Sequence, residues 1–442
     1  MRKKFLVLIL LGGVGFAVGC GGGSSTPSGV PGGSGSGGSG GASANVLAIA
    51  VDGGPTATQP GGFIVPNAAF ASATVCAPGS TSNCVTIDHL LVDTGSSGLR
   101  VFESEVSSLN LPTVNASNGS AAYDCVSFAD GSFLWGPVQN ATVTLAGETA
   151  SNTPIQVISS STANIPTSCS NNNLTEFQNT QSSLEANGIL GVGLEPSDCG
   201  LACDPSEEPV EVSPPAPAYY TCSSLPCTPQ FVTVANQVTN PVVKFSTDNN
   251  GTIFELPAVS GSAATVTGSL IFGIGTETNN QYPSSNTLFT LVCDNFTTNF
   301  EGNSYAPTVN TANLCTGGGS FIDSGSNGLF FPNVPNFPIC PGGLSDFYCP
   351  ASLTNLSATN VDPNGTGATK VTSFSVDNAQ NLYTNANTDG DAALATLGGL
   401  NPPGFGFDWG LPFYYGVNVY TAIDGQTVST PSGLPSPPWW AY

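Results

Sequence analysis

Two similar segments of the sequence each place an aspartate at the end of an apolar run. The first is LLVDTGSSGL at 90–99, and the second is FIDSGSNGLF at 321–330. In each segment the aspartate is followed by Thr or Ser, then Gly and Ser, then two small or polar residues and another apolar run. The aspartates, Asp93 and Asp323, are 230 positions apart, which leaves room for each segment in its own half of the chain. The repeat therefore predicts two related halves that each supply one carboxyl group.

The residue types in both segments suit a pair of carboxyl groups that share a proton. A buried apolar strand delivers each aspartate to a defined point, glycine allows close backbone approach, and hydroxyl groups orient the carboxyls through hydrogen bonds. Two adjacent carboxyl groups do not both ionise easily, so one activates water while the other protonates or polarises a carbonyl group. We expect Asp93 and Asp323 to be this catalytic pair. The residues expected to orient the pair are Thr94, Gly95, Ser96, Ser324, Gly325 and Ser326.

Three further segments complete a resemblance to the pepsin-like aspartic peptidase family. NGILGVG at 187–193 looks like the segment that lies beside the family's first aspartate loop, and WGLPFYY at 409–415 is similar to its counterpart in the second lobe. SLIFG at 269–273 resembles the strand that enters the second lobe. The resemblance spans roughly residues 45–425. The string DTGSSGLRV also looks like that of a group of bacterial surface lipoproteins.

The fold, the activity and the use of cofactors follow from this resemblance as expectations. It implies a mostly β, bilobal, pepsin-like aspartic protease fold, with two six-stranded-barrel-type lobes and a cleft between them. It implies an endopeptidase that hydrolyses extended polypeptides and uses no metal or organic cofactor. The sequence itself agrees with the fold, because short Val, Ile, Thr and Phe runs separated by Gly, Asn and Pro are typical of strands.

Residues 126–136 are expected to form the β-hairpin flap that covers the substrate in this family, because Asp-Gly favours a hairpin turn. The predicted flap residues are Phe128, Asp130, Gly131 and Ser132. Phe128 stands where the family has tyrosine, and Arg100 stands where it has tryptophan. We expect Arg100 to pair with a surface acid such as Glu103 or Glu105; the alternative is a position beside the aspartate pair.

These two departures leave other functions open. One alternative is a catalytically inactive relative that binds peptides or polymers in its cleft. Another is a surface or adhesion protein that acts through its cysteine-rich insertion at 195–230. The single histidine, His89, is expected to be a strand residue with a local partner rather than part of a Ser–His triad.

The N-terminus predicts export and lipid anchoring. Residues 1–20 combine a basic start, a short apolar run and small residues before Cys20, as in a bacterial signal peptide with a lipobox. The alternative is an ordinary signal peptide with a chance cysteine. Residues 21–44 are almost wholly Gly, Ser, Pro and Thr, which predicts a flexible tether. Gly21 favours the outer membrane or cell surface.

The exported body is predicted to have two lobes and several disulfides. The N-terminal lobe is expected at 45–235, including the insertion, and the C-terminal lobe at 236–442. Twelve cysteines follow Cys20, and an even number in an exported chain indicates up to six disulfides, with Cys340–Cys349 an easy local pair. Zinc is the alternative for four of them: Cys199, Cys203, Cys222 and Cys227.

The charge balance excludes one class of partner. The chain has six basic and 29 acidic residues and a formal net charge of −23, so it lacks the basic footprint that nucleic-acid binding requires. Only Arg100, Lys244 and Lys370 are basic after Cys20. We expect a monomer that contacts a polypeptide ligand, and a membrane only through its N-terminal lipid.

Overall fold

The structure is a computed structural model, and it describes residues 43–56, 62–204, 218–223, 225–310, 315–401 and 404–442. The predicted signal peptide, the predicted lipid anchor Cys20 and residues 21–42 of the predicted tether lie outside the described residues. No helix in the described part is long and apolar enough to cross a membrane.

Strands dominate the first half of the chain, and its helices are single turns. Its helices are α1 (Glu103–Val106), α2 (Thr167–Ser170) and α3 (Gln181–Leu184). Its strands are β1 (Val46–Val51), β2 (Phe70–Cys76), β3 (Cys84–Asp93), β4 (Ser97–Phe102), β5 (Ala122–Ser127), β6 (Phe133–Leu145), β7 (Glu148–Ile158), β8 (Gly188–Val192), β9 (Tyr219–Thr221) and β10 (Thr228–Pro229).

The second half is also built from strands, many of them short, and has one longer helix, α4 (Ala379–Asp389). Its longer strands include β11 (Gly251–Glu255), β13 (Val266–Phe272), β21 (Thr354–Val361) and β22 (Thr369–Val376), and β12 is Ser262–Ala263. The others are β14 (Leu288–Thr290), β15 (Thr297–Phe300), β16 (Asn303–Tyr305), β17 (Pro307–Val309), β18 (Cys315–Gly318), β19 (Phe321–Ile322), β20 (Leu329–Phe331), β23 (Ala393–Leu394), β24 (Gly398–Leu400), β25 (Asp408–Trp409), β26 (Val419–Ala422) and β27 (Trp439–Ala441).

Six strands of the first half close into a barrel. The order is β6-β7-β4-β8-β3-β2, and β2 pairs again with β6 to complete the ring. Strands β4 and β8 are buried along their whole length, as expected for strands with neighbours on both sides in a closed sheet. The predicted mostly β fold class is confirmed, including a six-stranded barrel.

The strand arrangement around the first aspartate is repeated around the second. In the first half β3 pairs in parallel with β8, β8 pairs antiparallel with β4, and β4 pairs in parallel with β7. In the second half the same three relations join β19 to β25, β25 to β20, and β20 to β24. Each aspartate ends or follows the first strand of its unit, so the sequence repeat corresponds to a repeated structural unit.

A central sheet and a buried side chain join the two halves. Strand β1 pairs with β13 over six residues, and the sheet continues through β11, β26, β27 and β14. Asn67 of the first half, which is fully buried, donates to the carbonyl oxygens of Asn327 (2.8 Å) and Leu394 (2.9 Å). Its amide oxygen accepts from the Tyr415 hydroxyl (2.9 Å). These contacts fix the position of one aspartate loop relative to the other.

The twelve cysteines after Cys20 form six disulfides, which confirms the prediction. The pairs are Cys76–Cys84, Cys125–Cys169, Cys199–Cys203, Cys222–Cys227, Cys293–Cys315 and Cys340–Cys349. The zinc alternative is wrong, because its four cysteines are consumed in two of these bonds. Within the described part of the insertion, β9 pairs with the flap strand β5 and extends that sheet.

The disulfides are expected to stabilise the fold in proportion to the chain length that they close. Cys125–Cys169 spans 44 residues and Cys76–Cys84 spans eight. By the chain-entropy argument, replacing both cysteines with serine should cost about 4 kcal/mol for the first pair and about 2.5 kcal/mol for the second. Urea unfolding of the two double variants measures the difference. Equal losses would contradict the entropic account.

Candidate active site

The two aspartate loops meet through a reciprocal pair of hydrogen bonds. The backbone N–H of Thr94 donates to the Ser324 hydroxyl (3.1 Å), and the backbone N–H of Ser324 donates to the Thr94 hydroxyl (2.9 Å). The Ser324 hydroxyl also donates to the carbonyl oxygen of Val92 (2.7 Å). Both side chains are buried, so these bonds are protected from competition with water.

Each carboxyl group accepts the same two hydrogen bonds within its own loop. Asp93 accepts from the Gly95 N–H (2.8 Å) and from the Ser96 hydroxyl. Asp323 accepts from the Gly325 N–H (2.7 Å) and from the Ser326 hydroxyl (2.8 Å). The six residues predicted to orient the pair therefore lie around the two aspartates in a two-fold arrangement.

The two carboxyl groups are in contact with each other. Asp93 and Asp323 are 2% and 1% exposed, and a hydrogen bond joins their side chains. Each glycine packs against the opposite aspartate: a Cβ on Gly95 would lie 2.7 Å from the Asp323 carboxyl carbon, and one on Gly325 would lie 2.8 Å from that of Asp93. Burial, and then the charge of Asp93, raises the pKa of Asp323 well above its usual range. The contact therefore favours a shared proton.

Two groups that sequence reasoning missed lie next to this pair. The Tyr414 hydroxyl is 2.7 Å from the Thr94 hydroxyl. Tyr414 belongs to the segment at 409–415, for which the sequence predicts only a place in the second lobe. Asp408 is 1% exposed and lies close enough to Asp323 to affect its pKa. Aligning the strand segment at 187–193 with that at 406–412 would have found it, because an acid then falls on an apolar position.

The predicted flap is a hairpin beside the second aspartate loop. Strands β5 and β6 pair up to Ser127 and Phe133, and the N–H of Phe128 donates to the carbonyl oxygen of Ser132 (2.8 Å). Gly131 has φ +84°, which favours glycine at this turn position. Phe128 is buried in the apolar cluster under the hairpin. An apolar side chain thus occupies the position where the family has tyrosine.

A cavity lies between the flap and the second aspartate loop. It contains about 510 Å³ of space, part of it open to solvent. Asp130 and Ser132 of the flap and Gly325 and Asn327 of the loop line it. The Ser132 hydroxyl and the Gln178 side-chain oxygen, both buried in this lining, have no hydrogen-bond partner among the described residues. The cavity therefore offers uncommitted polar atoms close to the aspartate pair.

The expectation that Arg100 pairs with a surface acid is wrong, because Arg100 and its acidic partners are buried. Arg100 is 0% exposed, and its guanidinium donates to Asp124, to Asp198 (3.0 Å) and to the side chain of Gln156 (2.9 Å). Its partners therefore include neither Glu103 nor Glu105. A buried guanidinium needs such partners because an unpaired buried charge is costly.

Two acids around one arginine leave an excess of negative charge. Burial, and then Asp198, raises the pKa of Asp124 to about 8 in spite of the nearby Arg100. The Tyr219 hydroxyl donates to Asp198 and accepts from the N–H of Val238 (2.8 Å). This cluster links the flap strand β5 to the barrel strands. Among the described residues, the hydrogen-bond partners of Arg100 do not include Asp93 or Asp323. The imidazole nitrogens of His89 lie 3.3 Å from the carboxyl group of Asp52 and 3.5 Å from that of Asp88.

Removing the Thr94 hydroxyl should destabilise the protein. Thr94→Val keeps the side-chain shape but leaves the buried N–H of Ser324 without its acceptor, which should cost about 1–3 kcal/mol. Thr86→Val is the matched control, because its hydroxyl bonds only to Thr74 on the exposed surface. Urea unfolding compares the two variants. Equal stability would contradict the role of the reciprocal bonds.

Removing the Arg100 guanidinium should be more costly. Arg100→Leu leaves two buried acids without their cation, which should cost about 3–5 kcal/mol at neutral pH. The loss should shrink as the pH falls below about 4, because the acids then become neutral in both states. Lys244→Leu, which removes an exposed cation, is the control. Chemical unfolding at pH 3.5 and pH 7 measures both, and a loss independent of pH would contradict the electrostatic explanation.

Comparison with known proteins identifies the family of the chain. Among solved structures, the chain is similar to the crystal structure of an aspartic proteinase from Irpex lacteus, with 15% identity over 90% of this chain and 96% of that chain and a TM-score of 0.42. No curated protein matches the sequence. A family model matches residues 41–442, and the chain therefore belongs to the family described as "Protein of unknown function (DUF3443)".

Proposed function

We propose that this protein is an aspartic endopeptidase that hydrolyses peptide bonds through Asp93 and Asp323. The observation that carries the proposal is the contact between two buried carboxyl groups with matching hydrogen bonds. Two carboxyls in contact hold one proton between them over a wide pH range, which is the state required for both acid and base catalysis.

The reaction follows from that shared proton. The ionised carboxyl takes a proton from a water molecule as the water oxygen attacks the carbonyl carbon of the substrate. The protonated carboxyl donates its proton to the carbonyl oxygen, which forms a neutral tetrahedral intermediate. The intermediate collapses as the C–N bond breaks. The carboxyl that took the water proton gives it to the leaving nitrogen, and the other carboxylate takes a proton from one hydroxyl of the intermediate, which restores the one-proton pair. Hydrogen bonds from Ser96 and Ser326 hold the carboxyls in the orientation that this exchange needs.

The cavity under the flap supports a polypeptide substrate. A peptide backbone carries N–H donors and carbonyl acceptors at regular spacing. The Gln178 side-chain oxygen accepts hydrogen bonds, and the Ser132 hydroxyl both donates and accepts. Because both atoms are buried and unpaired among the described residues, a peptide that bonds to them would remove an existing desolvation cost.

A second candidate function is peptide binding without hydrolysis. The buried position of Phe128 favours it, because that residue replaces a hydroxyl donor with an apolar ring. In this alternative the carboxyl pair would serve as part of a binding surface, and the ligand would leave unchanged.

We also propose that the protein acts outside the cytoplasm, held by a lipid on Cys20 at the outer membrane or cell surface. The six disulfides support an oxidising compartment. The lipobox and the Gly/Ser-rich stretch at 21–44 support a tethered body.

Peptidase activity should depend on both aspartates. Asp93→Asn and Asp323→Asn should each lower kcat/KM for a peptide library by at least about a hundredfold, because each removes one acid–base partner. A pepstatin-type inhibitor should block the wild-type protein. Asp389→Asn, an acid-to-amide change on the exposed end of α4, is the control.

The outcomes separate the two candidates. Cleavage that survives both substitutions would contradict the proposed mechanism. If the wild-type protein cleaves no peptide at pH 3–7 but binds peptides in a manner that Ser132→Ala weakens, the binding function is correct and the peptidase is not.

A further inference from the structure

A third carboxyl group, Asp408, lies beside the aspartate pair at a position that is apolar in the first repeat. In the first unit Leu91, two residues before the aspartate, is paired with Ile189. In the second unit Phe321, also two residues before the aspartate, is paired with Asp408. The repeat therefore carries an acid at one of two equivalent buried positions, and the fold does not need an acid there.

Among the described residues, the Ser326 hydroxyl is the one group that acts to stabilise a carboxylate at Asp408. Asp408 is 1% exposed, and neither of its oxygens has a well-formed hydrogen bond from the described residues. The Ser326 hydroxyl is close enough to interact with it. That hydroxyl already donates its single proton to Asp323 (2.8 Å), so it interacts with Asp408 best as an acceptor. An acceptor requires that Asp408 carry the proton.

The charged and titratable groups that act on Asp408 agree with this assignment. They are Asp93 at the end of β3, Asp323 after β19 and Tyr414 in the turn at Leu411–Tyr414. Two of them are acids, and the tyrosine is neutral below its raised pKa. Burial, and then the charge of Asp93, raises the pKa of Asp408 well above its usual range, although Ser326 opposes the shift.

We propose that Asp408 is a protonated third carboxyl group, linked to Asp323 through the Ser326 hydroxyl, and that it acts as a positioning residue for the aspartate pair. The centre then holds three carboxyl groups and two protons in its working form. Asp408 orients Ser326, and Ser326 in turn orients Asp323. Only the effect on catalysis rests on the proposed peptidase function; the protonation of Asp408 does not.

The first test measures protonation without using activity. A group that stays protonated when folded but ionises when unfolded makes the folded state less stable as the pH rises above about 4, its unfolded pKa. The folding equilibrium constant of wild type, relative to Asp408→Asn, should therefore fall about tenfold per pH unit between pH 4 and pH 7. Asp389→Asn is the control, with a ratio that should stay constant.

Urea unfolding at several pH values gives these ratios. If the Asp408→Asn variant does not fold, Asp408→Ile provides a second variant, because it places at 408 the residue type of Ile189 in the first repeat. Parallel pH dependence of wild type and variant would overturn the proposal. Infrared spectra at pH 6 provide an independent check, because wild type minus variant should contain the C=O stretch of one protonated carboxyl. A carboxylate band in its place would also overturn the proposal.

The second test measures the link to Asp323. A protonated Asp408 that donates to Ser326 strengthens the hydrogen bond from Ser326 to the Asp323 carboxylate. Asp408→Ile removes this donor, so it should move the alkaline limb of the pH–rate profile to higher pH by about one unit. An unchanged limb in a correctly folded variant would overturn the link. If wild type has no peptidase activity, the proposed function fails, whereas the unfolding and infrared tests still decide the protonation of Asp408.

Discussion

The reciprocal hydrogen bonds between Thr94 and Ser324 are the contact on which the rest of the site depends. Each residue donates its backbone N–H to the hydroxyl of the other, so neither loop is satisfied until both halves are folded and correctly placed. The central sheet and the buried Asn67 hold the halves at that separation. The carboxyl contact is a consequence, because each aspartate lies one residue before a member of this pair. A site assembled in this way is formed by tertiary structure and has no local equivalent in either half.

Several of the acidic residues that make the chain strongly negative are buried next to one another. Asp323 lies with Asp93 and Asp408, Asp124 lies with Asp198, and burial followed by Asp294 raises the pKa of Glu195 to about 8. In each group the folded state favours a protonated carboxyl. The stability from such groups is fully present below the unfolded pKa of about 4 and is lost as the pH rises toward the folded value. We therefore expect these groups to make the protein more stable in mildly acidic than in alkaline conditions.

Residues close together in sequence were predictable, and residues that meet only in the fold were not. The aspartate loops, the strand segment at 187–193, the flap hairpin and the disulfide count each have a local pattern, and the structure contains all of them. The position of Arg100 was not predictable, because its partners Asp124 and Asp198 come from distant segments with no characteristic spacing. The role of Asp408 was not predicted for another reason. A single acid in an apolar run resembles a turn residue until the two repeats are aligned.

The difference between Ile189 and Asp408 removes the equivalence of the two aspartates. Within their loops Asp93 and Asp323 accept matching hydrogen bonds, so local geometry alone would leave the shared proton divided evenly between them. Asp408 acts on Asp323 through Ser326, and the first repeat has only an apolar side chain in that place. The two carboxyl groups of the pair therefore have different surroundings, although the hydrogen bonds within their own loops are alike. One buried acid thus makes the two aspartates chemically unequal before any substrate is bound.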